Sequence, residues 1–311
     1  MNKHLKTPRS LVQYLVLSLK GLCMGASDVI PGVSGGTMAF ILGIYEELIY
    51  SIRSLDLPCL KLLARLRFRE FSKRFHWEFL LAVGAGIAIA ILSLARVLAW
   101  LLENRPVLIW SFFFGLISAS VFTVSRRVKQ WDLRLLVFAG LGAAAAFWVV
   151  GLIPTKTPDA PWYLFLSGAV AICAMILPGI SGAFILVLLG KYQMVLQALN
   201  NREFTVLFLV AAGACVGIVL FSRVLNWFFT HHHDLTVALL TGFMLGSLRK
   251  IWPWKETVES LGRTHGQLIQ ENVFPRALNH HTALAMGLMA LGCLVVLLLD
   301  RLAHVKEKPR S

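Results

Sequence analysis

Two short motifs interrupt apolar sequence with groups that can bind an anion: GASDVIPGVSGGT at residues 25–37 and ILPGISG at residues 176–182. A helix that begins in apolar surroundings presents free backbone N–H groups and the positive end of its dipole, and both attract anions. Glycine permits close approach, proline fits the first helical turn, and hydroxyl groups add donors. We therefore predict an anion-binding site made of Ser34, Gly35, Gly36, Thr37, Ser181 and Gly182, with Pro31, Gly32, Pro178 and Gly179 at its tips. The alternative is that each motif only permits a tight turn.

Arg96 and Arg223 form a second candidate pair, because each lies about six residues from the end of an apolar stretch, or roughly 8 Å from its centre. A charge at that depth costs a few kcal/mol, so a functional role is the default interpretation. The planar fork of arginine matches phosphate oxygens better than the point charge of lysine does. We predict that both arginines bind phosphate. The alternative is that they extend toward the lipid headgroups.

Asp28 lies in the first motif, and Met175 occupies the matching position of the second. Its carboxylate is predicted either to bind a coupling proton or sodium ion or to pair with an arginine such as Arg96. Four other charged residues are predicted to line or gate the pathway, with anchoring at the membrane surface as the alternative: Lys20, Glu46, Glu47 and Lys191.

Catalytic and metal-binding patterns are not evident. The chain shows no paired carboxylates at helical spacing, no nucleophile with a histidine partner and no nucleotide-binding glycine pattern. The run His231–His233 is predicted to cap helices rather than to bind a metal. We expect a transporter with no cofactor other than a possible H⁺ or Na⁺, and not an enzyme.

Composition indicates an all-α polytopic membrane protein, since 57% of the 311 residues are hydrophobic and only 15% are charged. The net charge of +14 comes from lysines and arginines in short connections between apolar segments. That distribution is typical of membrane orientation and not of nucleic-acid binding. The expected partners are therefore membrane lipids, and the oligomeric state stays open.

The apolar pattern divides the chain into two similar halves. The predicted order is a cytoplasmic N-terminus (1–10), repeat 1 (11–153), an outer linker (154–161), repeat 2 (162–299) and a cytoplasmic tail (300–311). Repeat 1 contains hairpin 1 (11–52), a basic cytoplasmic loop (53–77) and spans at 79–102, 107–125 and 133–153. Repeat 2 contains hairpin 2 (162–199) and spans at 205–229, 235–251 and 282–299.

The duplication is visible residue by residue. Residues 31–45 and 178–192 align without a gap and share seven of fifteen positions, and Arg96 aligns with Arg223 in the following span. If each hairpin returns to the side it entered, each half crosses the membrane three times, and the second half must be inverted. Arms of about 16 residues favour hairpins that turn back halfway over full spans. Inverted repeats with broken helices are typical of alternating-access transporters.

The motifs Gly-Ala-Ser-Asp-Val-Ile-Pro-Gly-Val-Ser-Gly-Gly-Thr and Leu-Pro-Gly-Ile-Ser-Gly resemble those of the bacterial undecaprenyl-phosphate translocase family, and the resemblance covers nearly the whole chain. It implies an inner-membrane protein that returns undecaprenyl phosphate from the outer to the inner leaflet for peptidoglycan and other envelope polymers. Two alternatives stay open from the residues alone: a channel or exchanger for small inorganic anions, and an integral-membrane lipid phosphatase.

Overall fold

The computed structural model describes residues 9–30, 33–155, 157–258, 269–275, 277 and 279–305. Pro31 and Gly32, which were predicted to form the first tip, lie outside the described residues. So do most of the predicted cytoplasmic N-terminus and part of the predicted tail.

The described chain is helical apart from one small ribbon. Its elements are α1 (Leu11–Asp28), α2 (Gly35–Ile41), α3 (Tyr45–Arg53), α4 (Leu57–Ala64), α5 (Phe68–Arg74), α6 (Trp77–Asn104), α7 (Pro106–Ser125), α8 (Leu133–Val150), α9 (Pro161–Ile176), α10 (Gly182–Leu188), α11 (Tyr192–Asn201), α12 (Phe204–His231), α13 (His233–Ser247), β1 (Lys255–Val258), β2 (Ile269–Asn272) and α14 (His280–Val305). Strands β1 and β2 pair antiparallel. This ribbon was not expected from the sequence, because the predicted architecture was entirely helical.

Five helices are long and apolar enough to cross a membrane among the described residues: α6, α7, α8, α12 and α14. The pair α10 and α11 counts as a sixth candidate if it is one broken span, although its two helices meet at 105°. The chain is thus a multi-pass membrane protein. Helix α13 has only 15 residues and ends at Ser247, short of the predicted span 235–251.

Four helix pairs form the bundle: α1 with α6, α9 with α12, α7 with α14, and α8 with α13. Each pair approaches closely at glycines; Gly21 of α1 lies against Val83 of α6, and Gly168 of α9 lies against Val210 of α12. Absence of a Cβ at these positions lets the backbones touch, as is common between helices in membranes.

The first helix of each hairpin ends level with the middle of a long helix. Gly25 lies against Ile87 and Ala90, so α1 runs parallel to α6 and Asp28 ends it at about the height of residue 91 of the 28-residue helix α6. In hairpin 2 the Cys173 thiol contacts the Gly217 carbonyl at 3.6 Å. Helix α9 therefore ends at about the height of residue 220 of α12.

Each hairpin contains a second break that the sequence did not lead us to predict. The second arm of each predicted hairpin, residues 33–52 in hairpin 1 and 181–199 in hairpin 2, is split into two helices. The split lies at a glycine with positive φ, 69° at Gly43 and 66° at Gly190. At the first break the Ile44 N–H donates to the Ala39 carbonyl at 2.9 Å, and at the second the Lys191 N–H donates to the Leu186 carbonyl at 2.8 Å. This bond across a left-handed glycine is a helix-ending motif, so the break is built in locally.

Candidate functional site

The tips of the two hairpins interlock at the centre of the bundle. The Ser34 hydroxyl donates to the Met175 carbonyl at 2.7 Å, and the Gly179 N–H donates to the Thr37 hydroxyl at 2.9 Å. The Tyr45 hydroxyl donates to the Ile176 carbonyl at 3.1 Å. All three bonds join residues from opposite halves of the chain. Helix ends that lack intrahelical partners thus satisfy each other.

The backbone N–H groups at the start of α2 are already bound within the protein. The Gly35 N–H donates to Oδ1 of Asp28 at 2.6 Å, and the Gly36 N–H donates to the Ser34 hydroxyl at 3.1 Å. In hairpin 2 the Phe184 N–H likewise donates to the Ser181 hydroxyl at 3.1 Å. The carboxylate of Asp28 therefore occupies the position that was predicted for a bound anion. A helix N-terminus attracts its own carboxylate as it would any anion.

The interlocked tips form a buried junction. Ser34 and Thr37 are fully buried, and Ser181 is buried as well. A Cβ on Gly36 would overlap the Ile176 carbonyl oxygen and lie 3.0 Å from the Met175 oxygen, so only glycine fits there. A cavity of about 420 Å³ lies elsewhere, with Arg105, Trp254 and His281 in its wall.

Arg96 and Arg223 stand apart from the junction. Arg96 is exposed on α6 and Arg223 is half-buried on α12. Within the described residues neither arginine has a hydrogen bond or ion pair, and Asp28 bonds Gly35 rather than Arg96. Along α6, Arg96 lies a few residues past the level at which α1 ends. Along α12, Arg223 lies a few residues past the level at which α9 ends. The predicted pairing of Asp28 with Arg96 is therefore not formed in this conformation.

The charged residues of hairpin 1 bind partners both within the hairpin and outside it. The Lys20 ammonium donates to the Leu42 carbonyl at 2.7 Å, just before the break at Gly43. Glu47 forms an ion pair with Arg9 at 2.7 Å, and Glu46 forms one with His233 at 3.1 Å. The Glu46 contact joins hairpin 1 to the turn between α12 and α13, which belongs to the other half.

Lys191 has the same role in hairpin 2. Only 1% of the lysine is exposed, and its ammonium donates to the Thr157 carbonyl at 2.8 Å and to Asp159. The Thr157 hydroxyl in turn donates to the Leu189 carbonyl. The linker between the halves therefore secures the break at Gly190. In this conformation the ammonium of Lys191 is enclosed by the linker.

His233 gives the stability of the protein a dependence on pH. The hydrogen bond with Glu46, assisted by one with Asp234, raises the pKa of His233 from 6.5 to about 9. Because the pKa is raised by folding, the stabilisation is complete below about pH 6.5 and is lost as the pH rises through about 9. We expect the melting temperature of the wild-type protein to fall more between about pH 7 and about pH 10 than that of a His233→Gln variant, measured by differential scanning fluorimetry in detergent.

His231→Gln is the matched control for this experiment. The His231 ring stacks on Trp227 with centroids 5.0 Å apart and makes no contact with Glu46. The melting temperature of the His231→Gln variant should follow the wild-type pH profile. Equal profiles for the wild type and His233→Gln would contradict the role given to the Glu46–His233 pair.

Two cations that we did not predict lie against the returning half-helices of the hairpins. The guanidinium of Arg127 lies 5.5 Å from the ring centroid of Phe40, and the ammonium of Lys250 lies 4.6 Å from that of Phe184. Both follow directly on the ends of buried helices, α7 and α13. That position is the signal that could have identified them; instead Arg127 was assigned only to membrane orientation, and Lys250 was included in the predicted span 235–251.

Comparison with known proteins assigns the family. A family model described as undecaprenyl phosphate translocase-like matches residues 24–269, which include both hairpin tips. The chain is 41% identical over 302 residues to a Vibrio cholerae protein named polyprenyl-phosphate transporter, covering 94% of this chain and 98% of that protein. It is 33% identical over 258 residues to a Staphylococcus aureus protein of the same name, covering 76% and 85%. No solved structure matches at a significant level. The chain therefore belongs to the undecaprenyl phosphate translocase-like family.

Proposed function

We propose that this protein transports undecaprenyl phosphate across the bacterial inner membrane, from the outer to the inner leaflet, so that the carrier is reused in peptidoglycan and envelope polymer synthesis. The names of the two relatives support polyprenyl phosphate as the substrate. The observation that carries the mechanism is the interlock of the two tips, in which Ser34, Thr37 and Tyr45 of one half bond residues 175–179 of the other. A polar seal between two halves suits a gate that opens to one side at a time.

An inverted arrangement of the two halves accounts for the helix directions. The one-residue turn at Arg105 reverses the chain between α6 and α7, and the turn at His232 reverses it between α12 and α13. Helices α8 and α13 run parallel, because Gly142 lies against Leu239 and Gly151 lies against Arg249. With α8 returning antiparallel to α7, helix α12 then runs opposite to its counterpart α6. Basic connections at 53–77 and 126–129 support a cytoplasmic location for those ends and for both termini.

The hairpins in this arrangement are re-entrant. Helices α1 and α9 end level with the middle of α6 and α12, which supports tips at about half the membrane depth. The lipid tail stays in the bilayer while the phosphate head passes between the hairpins. When the tips separate, the head reaches Ser34, Thr37, Ser181 and the N–H groups of Gly35, Gly36 and Gly182. Arg96 and Arg223 attract it near opposite exits.

Asp28 is the proposed coupling group. Its carboxylate holds the Gly35 N–H while the tips meet, and it forms no ion pair within the described residues. Binding of H⁺ or Na⁺ would remove the negative charge from the start of α2 and weaken this bond. The phosphate head could then replace the carboxylate. The Asp28 carboxylate and the phosphate head thus compete for the Gly35 N–H.

The test measures leaflet-resolved accessibility of undecaprenyl phosphate in proteoliposomes containing the purified protein. We expect faster redistribution than in empty vesicles, and about a tenfold loss of rate in Arg96→Gln and in Arg223→Gln, since each removes a charge-assisted hydrogen bond to the head. Arg134→Gln, which removes an exposed charge from the first turn of α8, is the matched control. Unchanged rates in both test variants would overturn the arginine assignment. Equal rates in protein-containing and empty vesicles would overturn the transport function.

A further inference from the structure

Lys250 lies beside the tip of hairpin 2, and Lys255 contacts Lys250. Ser247, the last residue of α13, packs against Gly179 so closely that a Cβ there would be 2.6 Å from the serine hydroxyl. Three residues later, the ammonium of Lys250 lies 4.6 Å from the ring centroid of Phe184, near the start of α10. The chain thus carries a cation to the edge of the buried junction, on the side where hairpin 2 begins and ends.

Lys255 adds a second charge at the same place. Its ammonium donates to the Lys250 carbonyl at 2.6 Å and lies 4.7 Å from the ring centroid of Trp110 on α7. Both lysines are half-buried. The pair therefore spans the space between α7 of the first half and α10 of the second, which is where a head group would approach the tips.

The two lysines have no counter-charge within the described residues. Neither forms an ion pair with a carboxylate there. The adjacent Glu256 belongs to the opposite face of strand β1, where it pairs across the ribbon with Glu271. Burial, together with the charge of Lys250, lowers the pKa of Lys255 to about 8. Two like charges that are partly removed from water are costly unless an anion joins them.

The surroundings of the pair favour an anion on an apolar tail. Phe184 and Trp110 lie beneath the two ammonium groups. An aromatic cluster continues from there, with Phe114 and Trp252 5.3 Å apart and Trp252 and Phe274 5.7 Å apart. Lysine ammonium groups are common ligands of phosphate. Aromatic rings of this kind occupy the level of the lipid headgroups in membrane proteins.

We propose that Lys250 and Lys255 together bind the phosphate monoester head of a prenyl lipid before it passes between the tips. This inference rests on the proposed transport function and names its first binding site. The site differs from the tip hydroxyls and from Arg96 and Arg223, because it is accessible while the tips meet. The shared chemistry is a phosphate carrying two negative charges, whether on a lipid or free.

The experiment is isothermal titration calorimetry on the purified full-length protein in detergent, with farnesyl phosphate, inorganic phosphate and farnesol as probes. We expect farnesyl phosphate to bind the wild type and to bind Lys250→Gln/Lys255→Gln at least about tenfold more weakly. Arg249→Gln is the matched control, since its side chain turns away and stacks on Phe147 with a distance of 4.3 Å. It should bind like the wild type. Equal affinity of the wild type and the double variant would overturn the site.

A second measurement does not depend on the folding of a variant. Farnesyl phosphate should protect Lys250 and Lys255 of the wild type from an amine-acylating reagent, as read by mass spectrometry, and should leave Lys129 unprotected. Absence of protection would also overturn the site. If inorganic phosphate binds and protects as well as farnesyl phosphate does, the lipid assignment is wrong and the site belongs to free phosphate. If transport is normal while the lysines neither bind nor are protected, this inference fails and the transport function stands.

Discussion

Replacing Gly36 with alanine is expected to reduce transport of undecaprenyl phosphate about tenfold and to lower the melting temperature by a few degrees. The added methyl group would overlap the Ile176 carbonyl oxygen and press on that of Met175. Both atoms belong to the backbone of the opposite tip, so no side chain can rotate away. Overpacking of this kind costs about 1–3 kcal/mol. The state in which the tips meet would be destabilised relative to states with separated tips. Transport would slow because the proposed cycle passes through the state in which the tips meet.

The measurements are the leaflet-resolved transport rate in proteoliposomes and the melting temperature in detergent. Gly84→Ala is the matched control, because it makes the same chemical change in α6 at a position with nothing within 4 Å of the new atom. It should match the wild type in transport rate and have an equal or higher melting temperature, since alanine favours a helix more than glycine does. A Gly36→Ala protein that also matches the wild type would show that the tips do not meet as described.

Asp28 variants are expected to separate a structural from a coupling role. Asp28→Asn keeps an oxygen that can accept from the Gly35 N–H, so we expect its melting temperature to stay close to that of the wild type. Asp28→Ala leaves that N–H without its acceptor and should cost about 1–3 kcal/mol of stability. Both variants remove the titratable group. Both should therefore transport without responding to an imposed proton or sodium gradient.

The rate is measured in proteoliposomes with and without each gradient, one at a time. Glu70→Gln is a suitable control, since Glu70 is an exposed residue whose ion pair with Arg67 lies in the basic segment far from the tips. It should respond to a gradient as the wild type does. An Asp28→Asn protein that still responds to the gradient used by the wild type would contradict the coupling role. Equal stability of the alanine and asparagine variants would contradict the helix-capping role.

Features with a local physical cause could be predicted from the sequence. Long apolar stretches predict helices of membrane-spanning length because backbone groups in lipid must be satisfied within the segment. The family could be recognised from the motifs at residues 25–37 and 177–182, and the comparisons confirm it. The breaks at Gly43 and Gly190 also have a local cause. However, Leu42-Gly43 and Leu189-Gly190, which align between the two halves, were interpreted only as a sign of duplication. A glycine after a run of helix formers is a frequent C-terminal signal, so this break could have been found.

Features that depend on distant contacts could not be predicted. The ribbon β1–β2 and the early end of α13 belong to a connection of mixed composition. Its apolar residues have no regular spacing from which a helix or a strand could be predicted. The contacts of Arg127 with Phe40 and of Lys250 with Phe184 were not predicted, because sequence does not show which aromatic ring a cation will meet. Lys191 was expected beside the pathway, whereas the linker residues Thr157 and Asp159 enclose it.

Composition and spacing indicate a helical membrane protein with a duplicated Pro-Gly-x-Ser-Gly motif, because both are properties of neighbouring residues. What the polar groups of this motif bind depends instead on contacts between distant parts of the folded chain. An N–H at the start of a helix attracts anions of several kinds, so Gly35 could have received an external phosphate or the carboxylate seven residues before it. The fold brings Asp28 to Gly35 and brings Ser34 to a carbonyl 141 residues away. These contacts between residues distant in the sequence join the two predicted tips in one buried junction.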